Sequence, residues 1–203
     1  MNKNIWDFWA KYYDRLWVQH VSLKPTRTEI IRNIIPKKNL KLLDIGCGTG
    51  QLLGDIRLNF ADHEIDYTGV DQSGEMINEA RQKFPSDNFI ESDVSDYIKT
   101  EEQFDIIVCS HAFPYFPDKQ EVLNGFKKML KTGGTLLLTQ ASVNSIYDTI
   151  ILSFVKLTTS RAEYPGIKEM ERLSAQVFKN PPEIIPVGRF FVPSICMFKW
   201  VKE

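Results

Sequence analysis

The sequence predicts an α/β fold in which a doubly wound, mostly parallel sheet carries helices on both faces and ends in an antiparallel C-terminal hairpin. Short apolar runs alternate with helix-periodic segments between residues 40 and 140, the pattern of a parallel sheet covered on both sides. Glycines and polar residues follow the apolar runs, as they do where strands end in loops. The chain has 203 residues, 43% hydrophobic and 25% charged, which suits a single globular domain.

The composition weighs against several classes of protein. The 25 Lys and Arg residues against 26 Asp and Glu residues give a net charge of −1, so we expect no nucleic-acid partner. The apolar run at 150–155 is far shorter than the ~20 residues of a membrane span. Cys47, Cys109 and Cys196 form neither a disulfide framework nor a zinc-type pair. The cysteine pattern therefore predicts no metal site and a cytoplasmic location. The N-terminal residues carry frequent charges and no long apolar stretch, so no signal peptide is expected.

Residues 1–36 are predicted to form a helical cap. Aromatic and aliphatic side chains recur at helical spacing within residues 5–20 and are expected to face inward. They are Ile5, Trp9, Tyr12, Tyr13, Leu16 and Trp17. Thr26 and Glu29 match a capping box, which predicts a second helix that begins there and is ended by Pro36.

Residues 40–140 are predicted to hold five strands joined by helices. The strands are 41–45, 67–71, 88–91, 104–109 and 135–139. Ser73 and Asp118 are expected to cap the helices that follow them, and Gly133 with Gly134 to end the last one. Because ligands of such sheets bind beyond the carboxyl ends of the strands, the residues after each strand form the candidate site.

The C-terminal part is predicted to contain a helical segment and a hairpin. Residues 143–180 read as mainly helical, with one apolar face. That face comprises Ile146, Ile150, Phe154 and Leu157. Two extended runs around Pro193 predict a hairpin within 184–203, at one sheet edge. The expected organisation is one domain, 1–203.

A glycine-rich loop and an acidic residue indicate the ligand. Gly46, Gly48 and Gly50 follow the first strand as GxGxG, tighter than the GxGxxG of dinucleotide-binding folds. Glycine lets a ligand lie directly on the backbone. Asp71 ends the second strand and can accept two hydrogen bonds from a ribose diol. A nucleoside-containing ligand is predicted, and a nicotinamide-dependent oxidoreductase stays as an alternative.

Five segments together resemble the class I S-adenosylmethionine-dependent methyltransferases, especially the small type-11 group. They are LLDIGCGTG (42–50), YTGVDQSGEMI (67–77), FIESDVSDY (89–97), FDIIVCSHAFPYF (104–116) and LKTGGTLLLT (130–139). The segments span about half of the chain in family order and spacing. The resemblance implies a seven-stranded Rossmann-like methyltransferase sheet, S-adenosyl-L-methionine as cofactor and methyl transfer by in-line displacement. A non-catalytic S-adenosylmethionine-binding module is the alternative.

The resemblance also implies a set of cofactor-binding residues. They are Tyr13, Asp44, Gly46, Cys47, Gly48, Gly50, Asp71, Gln72, Met76, Asp93, Val94 and Ser110. The glycines would approach the methionine part and the ribose, with Asp44 bracing their loop and Tyr13 closing over the cofactor. Asp71 would hold the ribose hydroxyls.

The adenine end is expected to be held by Met76, Asp93 and Val94. Met76 would pack on the ring face and Asp93 would accept from the exocyclic amine, while the Val94 backbone meets the ring edge. Each has a simpler structural reading, since Met76 suits the core and Asp93 suits a turn with Ser95. Cys47 is expected to pack inward between its glycines.

His111 is the candidate catalytic residue, because it is the one histidine of three that follows a strand. A general base is needed only if the acceptor arrives protonated, so the alternative is a polar group lining the pocket. No Asn/Asp-Pro-Pro-aromatic motif follows the fourth strand, which argues against amino groups of adenine or glutamine as acceptors. A small molecule remains, of quinone, lipid-like, aromatic or amine type, and O, N, S and C all stay open as the methylated atom.

Aromatic residues make up 12% of the chain and occur in clusters. The clusters include Trp6, Phe8, Trp9, Tyr13, Trp17, Phe113, Tyr115, Phe116, Phe190 and Phe191. The N-terminal group and the group after the fourth strand should face the sulfonium and the acceptor, where rings attract the cation and exclude water. The resemblance implies a substrate cover at 143–180. Its candidate liners are Tyr147, Phe154, Tyr164, Lys168 and Arg172, with core packing or solvent exposure as the alternative for each. An apolar, aromatic acceptor pocket is predicted.

Overall fold

One seven-stranded sheet organises the molecule. The computed structural model describes residues 3–16, 19–159, 162–187 and 193–203, with the backbone alone at 3–5, 20–21 and 154–159. The strands are β1 Leu40–Ile45, β2 Ile65–Asp71, β3 Asn88–Glu91, β4 Phe104–Ser110, β5 Leu130–Ala141, β6 Glu183–Val187 and β7 Ile195–Val201. Their order is β3-β2-β1-β4-β5-β7-β6. Only the pairs of β7 are antiparallel among the described strands, so the predicted fold class is confirmed.

Helices cover both faces of the sheet. The α-helices are α1 Lys3–Tyr13, α2 Lys24–Arg32, α3 Gln51–Asn59, α4 Gly74–Lys83, α5 Val94–Tyr97, α6 Lys119–Met129, α7 Ile146–Thr159 and α8 Ile167–Ala175. A π-helical segment at Gln19–Leu23 and a 3-10 turn at Phe113–Tyr115 complete the described helical elements. The predicted N-caps Ser73 and Asp118 are present, accepting from the N–H groups of Met76 and Glu121.

Two apolar clusters fill the space on either side of the strands. One packs Leu43, Ile107 and Leu138 against α6 and α8, and the other packs Leu42 and Val108 against α2, α3 and α4. Alternate residues of one strand thus enter opposite clusters, which is the pattern of a strand buried on both faces.

The strand order reverses between β1 and β4, and this places the site. From β1 the chain builds outward to β2 and β3, and it then returns to add β4 and β5 on the other side. Ile45 pairs with Cys109 in parallel register, so the loops that follow β1 and β4 diverge from neighbouring positions. Such a switch point opens a crevice at the carboxyl ends of the strands.

The N-terminal region differs from its prediction in two ways. Helix α1 ends at Tyr13, well before residue 20, and its outward side carries Trp9 and Tyr12, which were expected to face inward. Ala10 is buried in their place. Thr26 is not an N-cap, because α2 already begins at Lys24 with a proline in its first turn, a position that favours helix entry.

The C-terminal region contains a correction as well. Strand β5 starts directly after α6, at Leu130, so the glycines that were expected to end the helix lie within the strand. Ile146 and Ile150 of α7 are exposed and do not form a buried face. The predictions for Trp17, Phe190, Phe191 and the side chains of Ile5, Phe154 and Leu157 lie outside the described residues. The hairpin formed by β6 and β7 is confirmed, with β6 at the sheet edge.

Candidate active site

The loop after β1 owes its shape to three glycines. Gly46, Gly48 and Gly50 have φ values of +76°, +54° and +77°, a region that side chains with a Cβ adopt at a cost. A Cβ on Gly46 would lie 2.3 Å from the Cβ of Ala112, which follows β4. The loop is held to β2 by the N–H of Gly46, which donates to the carbonyl of Val70 at 2.7 Å. The sequence predicted the glycines, but the close approach of Ala112 appears only in the fold.

Asp71 joins the glycine loop to the start of α4. One of its carboxylate oxygens accepts from the N–H of Gly48 at 3.0 Å, and the other accepts from the N–H of Ser73 at 2.9 Å. Burial raises the pKa of Asp71, while these backbone donors oppose the rise. Each carboxylate oxygen can accept a second hydrogen bond. The carboxylate is therefore fixed in place and still able to accept from a diol.

A cleft opens beside Asp71 at the carboxyl ends of β1, β2 and β3. It is lined by Ile45, Gly46, Val70, Asp71, Gln72, Ser92, Asp93, Val94, Tyr115, Phe116 and Pro117. The amide nitrogen of Gln72 is buried without a hydrogen-bond partner among the described residues. A buried donor without a partner is costly unless a ligand or water supplies an acceptor. A nucleoside carries such acceptors, so the lining of the cleft fits S-adenosylmethionine.

Asp93 serves as a helix cap as well as a wall of the cleft. Its side chain accepts from the N–H of Ser95 at 2.8 Å and begins α5. The turn with Ser95, which was predicted as the alternative role of Asp93, is therefore present. The residue also lines the cleft together with Val94, the buried first residue of α5.

Asp44 is placed differently from what the resemblance implied, whereas Cys47 packs inward as expected. Asp44 is buried and accepts from the hydroxyl of Tyr67 on β2 at 2.7 Å, so its partner among the described residues is not the glycine loop. Burial raises the pKa of Asp44 to about 7 against this hydrogen bond. The Cys47 sulfur packs 3.0 Å from where a Cβ on Gly69 would stand. Its side chain points into the core as expected, which leaves its backbone to face a cofactor.

Gly48 lies between the side chains of Tyr13 and Met76. A Cβ at Gly48 would stand 3.8 Å from Cε1 of Tyr13 and 4.0 Å from the sulfur of Met76. Met76 is buried beneath the loop. Burial, with Asp71 nearby, raises the pKa of Tyr13 to about 12, so its hydroxyl stays protonated. The structure thus brings Tyr13, from the N-terminal helix, against the glycine loop.

The residue after Tyr13 fastens the N-terminal segment to this loop. Asp14 accepts from Thr49 at 2.6 Å, from Gln51 at 2.7 Å and from Lys83 at 2.5 Å. Charge-assisted bonds of this kind are the stronger class of hydrogen bond. Sequence reasoning missed Asp14, although it completes the Tyr-Tyr-Asp run that singled out Tyr13.

His111 stands directly after β4 with a φ of +58°. Its Nε2 lies 3.0 Å from the hydroxyl oxygen of Thr26, and that hydroxyl donates its proton to the carbonyl of Ser22 at 2.9 Å. Because Thr26 has a single proton to give, both bonds are satisfied when Nε2–H of His111 donates to Thr26. Nδ1 is then unprotonated. Burial, with Arg27 nearby, lowers the pKa of His111 to about 4, so the ring is neutral at pH 7.

Aromatic rings form one wall near the site. The Trp6 and Tyr13 rings meet edge to face at 6.3 Å between centroids, and Trp6 meets Tyr115 in the same way at 5.4 Å. The hydroxyls of Tyr115 and Tyr164 are 3.4 Å apart. Ser110 ends β4 and is half-buried. Of the other predicted liners, Tyr147, Lys168 and Arg172 are exposed.

Two further properties concern metals and membranes. Within the described ranges, no group of three or more His, Cys, Asp or Glu side chains is arranged to hold a metal ion. None of the described helices is both long enough and apolar enough to cross a bilayer.

Comparisons with known proteins place the chain in a family. A family described as a methyltransferase domain matches residues 36–180. The ubiquinone/menaquinone biosynthesis C-methyltransferase UbiE of Campylobacter jejuni is 29% identical over 113 residues, which are 54% of this chain and 48% of that protein. The ubiquinone biosynthesis O-methyltransferase of Coxiella burnetii is 31% identical over 126 residues, which are 60% and 52% of the two chains. The chain thus spans about half the length of the curated relatives it matches.

A solved structure supports the fold. The S-adenosylmethionine-dependent methyltransferase of Thermotoga maritima, described as a possible histamine N-methyltransferase, superimposes with a TM-score of 0.76, at 15% identity. The match covers 98% of this chain and 99% of the other. The domain match favours a methyltransferase over the nicotinamide oxidoreductase. Its extent over residues 36–180 shows that this chain belongs to the class I S-adenosylmethionine-dependent methyltransferases.

Proposed function

We propose that this chain transfers a methyl group from S-adenosylmethionine to a small aromatic or quinone-type acceptor. The observation that carries the proposal is the state of His111. It is a neutral imidazole whose Nε2 lies 3.0 Å from the hydroxyl oxygen of Thr26, where the bond from Thr26 to Ser22 leaves Nε2–H to donate, at the strand end next to the glycine loop. Nδ1 is then the unprotonated ring atom, and it stays unprotonated at neutral pH.

The cofactor would be held by the residues around Asp71. Asp71 accepts from the ribose hydroxyls while the N–H groups of Gly48 and Ser73 keep its carboxylate oriented. Gln72 donates its unpartnered amide, and Asp93 with Val94 borders the adenine. The remaining contacts assigned to the cofactor are those of Tyr13, Asp44, Gly46, the Cys47 backbone, Gly50, Met76 and Ser110.

The chain's own contribution to the reaction is orientation and proton removal. When bound, S-adenosylmethionine supplies an activated methyl group on a sulfonium sulfur. His111 takes the proton of an acceptor hydroxyl at Nδ1, and Thr26 keeps the ring in the tautomer that can do so. The aromatic wall of Trp6 and Tyr115 excludes water and attracts positive charge. Residues 1–36 act as a cap and 143–180 as a cover over the acceptor.

An acidic aromatic hydroxyl suits this base better than other acceptors. Loss of a phenolic proton leaves negative charge on the oxygen and on ring carbons ortho to it, so one base prepares either atom for methylation. The relatives named above include a C-methyltransferase and an O-methyltransferase, both of ubiquinone biosynthesis. The aromatic wall supports a flat acceptor. The three cysteines are buried and free, which supports a reducing, cytoplasmic setting.

Turnover with a labelled methyl group tests the proposal. The protein is incubated with S-adenosylmethionine carrying a deuterated methyl group and, separately, with a catechol, a reduced short-chain quinone, an imidazole amine and a thiol. Mass spectrometry should find label in the catechol or quinol product, and His111→Asn should lower that rate by about 10²-fold or more. Label in the amine or thiol alone would contradict the acceptor class. Cofactor binding with no labelled product would favour the non-catalytic module.

A further inference from the structure

Helix α1 presents an aromatic and cationic surface to solvent. Phe8, Trp9 and Tyr12 are 69%, 39% and 55% exposed, and the rings of Phe8 and Trp9 meet edge to face at 5.4 Å. Lys11 and, in the turn directly after α1, Arg15 are exposed as well. These five residues are called the α1 outer face. Contiguous exposed aromatic surface of this kind marks a site of interaction.

The acidic residues of the same segment are engaged by partners outside it. Asp7 accepts from the hydroxyl of Ser73 at 2.5 Å. Asp14 accepts from Thr49 and pairs with Lys83, which balances its charge. The α1 outer face therefore carries positive charge beside its aromatic rings, and no carboxylate belongs to it.

We infer that the α1 outer face docks on the surface of an anionic lipid bilayer. Trp, Tyr and Phe rings next to Lys and Arg are the composition of helices that lie in the membrane interface. The rings enter the boundary between headgroups and acyl chains, and Lys11 and Arg15 meet the anionic headgroups. No spanning segment is required.

Charge argues against a second copy of this chain as the occupant. In a symmetric dimer the same patch meets itself, so Lys11 and Arg15 of one protomer would approach those of its partner. Like charges brought together at an interface disfavour the complex. A bilayer with anionic headgroups has the complementary charge and also accepts the rings of Phe8, Trp9 and Tyr12.

The placement has a consequence for the site. Tyr13 and Asp14 contact the glycine loop directly after the outer-face residues in the chain. A helix with its side chains is about 10 Å across, so the loop would lie within about one helix diameter of the lipid. An apolar acceptor could then pass from the bilayer to the cleft without crossing bulk water. The proposed docking involves only the α1 outer face, and it does not depend on which acceptor is methylated.

Vesicle binding by the full chain tests the inference. Sedimentation with vesicles of phosphatidylcholine plus phosphatidylglycerol should pull down the protein at low salt, and pure phosphatidylcholine should pull down several-fold less. The triple variant Phe8→Ser, Trp9→Ser, Tyr12→Ser should bind anionic vesicles about tenfold more weakly. Lys11→Glu with Arg15→Glu should do the same and also remove the salt dependence.

Control variants separate this surface from others. Ile146→Ser with Ile150→Ser removes exposed apolar side chains from α7 and should leave vesicle binding within about twofold. Every variant should bind S-adenosylhomocysteine like the wild type, which shows that it is folded. Equal binding of wild type and triple variant, or equal loss in the α7 variant, would overturn the inference. Concentration-dependent dimers abolished by the triple variant would assign the face to a second copy instead.

Discussion

His111 and Thr26 are 85 residues apart in the chain, yet the ring nitrogen Nε2 of the first lies 3.0 Å from the hydroxyl oxygen of the second. The hydroxyl is itself committed to the carbonyl of Ser22. This pair of bonds decides which nitrogen of the imidazole carries the proton, and it leaves Nδ1 as the basic atom. The strand end and helix α2 thus prepare one tautomer before any acceptor arrives.

Without the Thr26 hydroxyl, the imidazole of His111 should be free to adopt either tautomer. Thr26→Val keeps the shape of the side chain but cannot accept from His111, so we expect a fall in kcat of about tenfold with little change in KM for the cofactor. Thr26→Ser keeps the hydroxyl and should retain most of the activity. Nitrogen-15 chemical shifts of the His111 ring should show Nε2 protonated in the wild type and a mixture in Thr26→Val. An unchanged tautomer and rate in Thr26→Val would mean that the bond is only structural.

The pH dependence of turnover should reflect the lowered pKa of His111. The pKa of His111 is lowered from 6.5 to about 4 by burial and by Arg27. The neutral base is then present above about pH 4 and is lost as the pH falls through it, so kcat should be flat from about pH 5 to about pH 8. The pKa of Asp44 is raised to about 7, so the profile is also measured in Asp44→Asn, which removes that titration. An inflection in kcat near 6.5 would contradict the buried, neutral state.

The fastening of the N-terminal segment should matter for cofactor affinity. Asp14→Ala removes the acceptor shared by Thr49, Gln51 and Lys83, so Tyr13 is no longer held against Gly48. We expect the Kd for S-adenosylhomocysteine, measured by calorimetry, to rise about tenfold.

The matched control for Asp14 is another carboxylate with a lysine partner. Asp96 pairs with Lys99 at 2.9 Å and is well exposed, and such surface pairs contribute little. Asp96→Ala should change the Kd by less than about twofold. Equal effects of the two substitutions would show that the contacts of Asp14 do not support binding.

Substitutions at two glycines with nearly the same φ should distinguish the cost of backbone strain from the cost of a steric clash. Gly46 and Gly133 have φ values of +76° and +75°, but a Cβ would meet Ala112 at 2.3 Å in the first and nothing within 4 Å in the second. Gly133→Ala should lower the free energy of unfolding by roughly 1–2 kcal/mol from the backbone alone. Gly46→Ala adds overpacking and should cost about 3 kcal/mol or more in total. Chemical denaturation measures both, and equal losses would contradict the close approach.

Much of the fold was accessible to sequence reasoning because its signals are local. Each apolar run before Asp71 or Ser110 is short, and strands buried on both faces read as continuous apolar runs. The glycines predict backbone with positive φ, because glycine adopts this conformation more readily than other residues. Residues at strand ends gather at one edge of a parallel sheet. The predicted positions of Asp71, Gln72 and Asp93 beside one cleft follow from that single rule.

Contacts between distant segments could not be predicted in the same way. Thr26 and Glu29 match a capping box, but Pro25 lets the helix begin earlier, and the hydroxyl of Thr26 turns to His111. Trp9 and Tyr12 fit a helical face equally well whether that face is inside or outside, and the packing of Ala10 decides the matter. The role of Asp14 depends on its hydrogen bond from Thr49, which is 35 residues away in the chain. In each case the partner lies outside the window in which periodicity operates.

A structure of the full chain with S-adenosylhomocysteine bound would show directly whether Asp71 holds the ribose of the cofactor. We expect both ribose hydroxyls within hydrogen-bond distance of the Asp71 carboxylate, the adenine between Met76 and Asp93, and the sulfur facing His111 across the glycine loop. The same crystals soaked with NAD should show no nicotinamide cofactor in the cleft. A ribose held away from Asp71, or NAD bound where S-adenosylhomocysteine is not, would mean that this cleft is not an S-adenosylmethionine site.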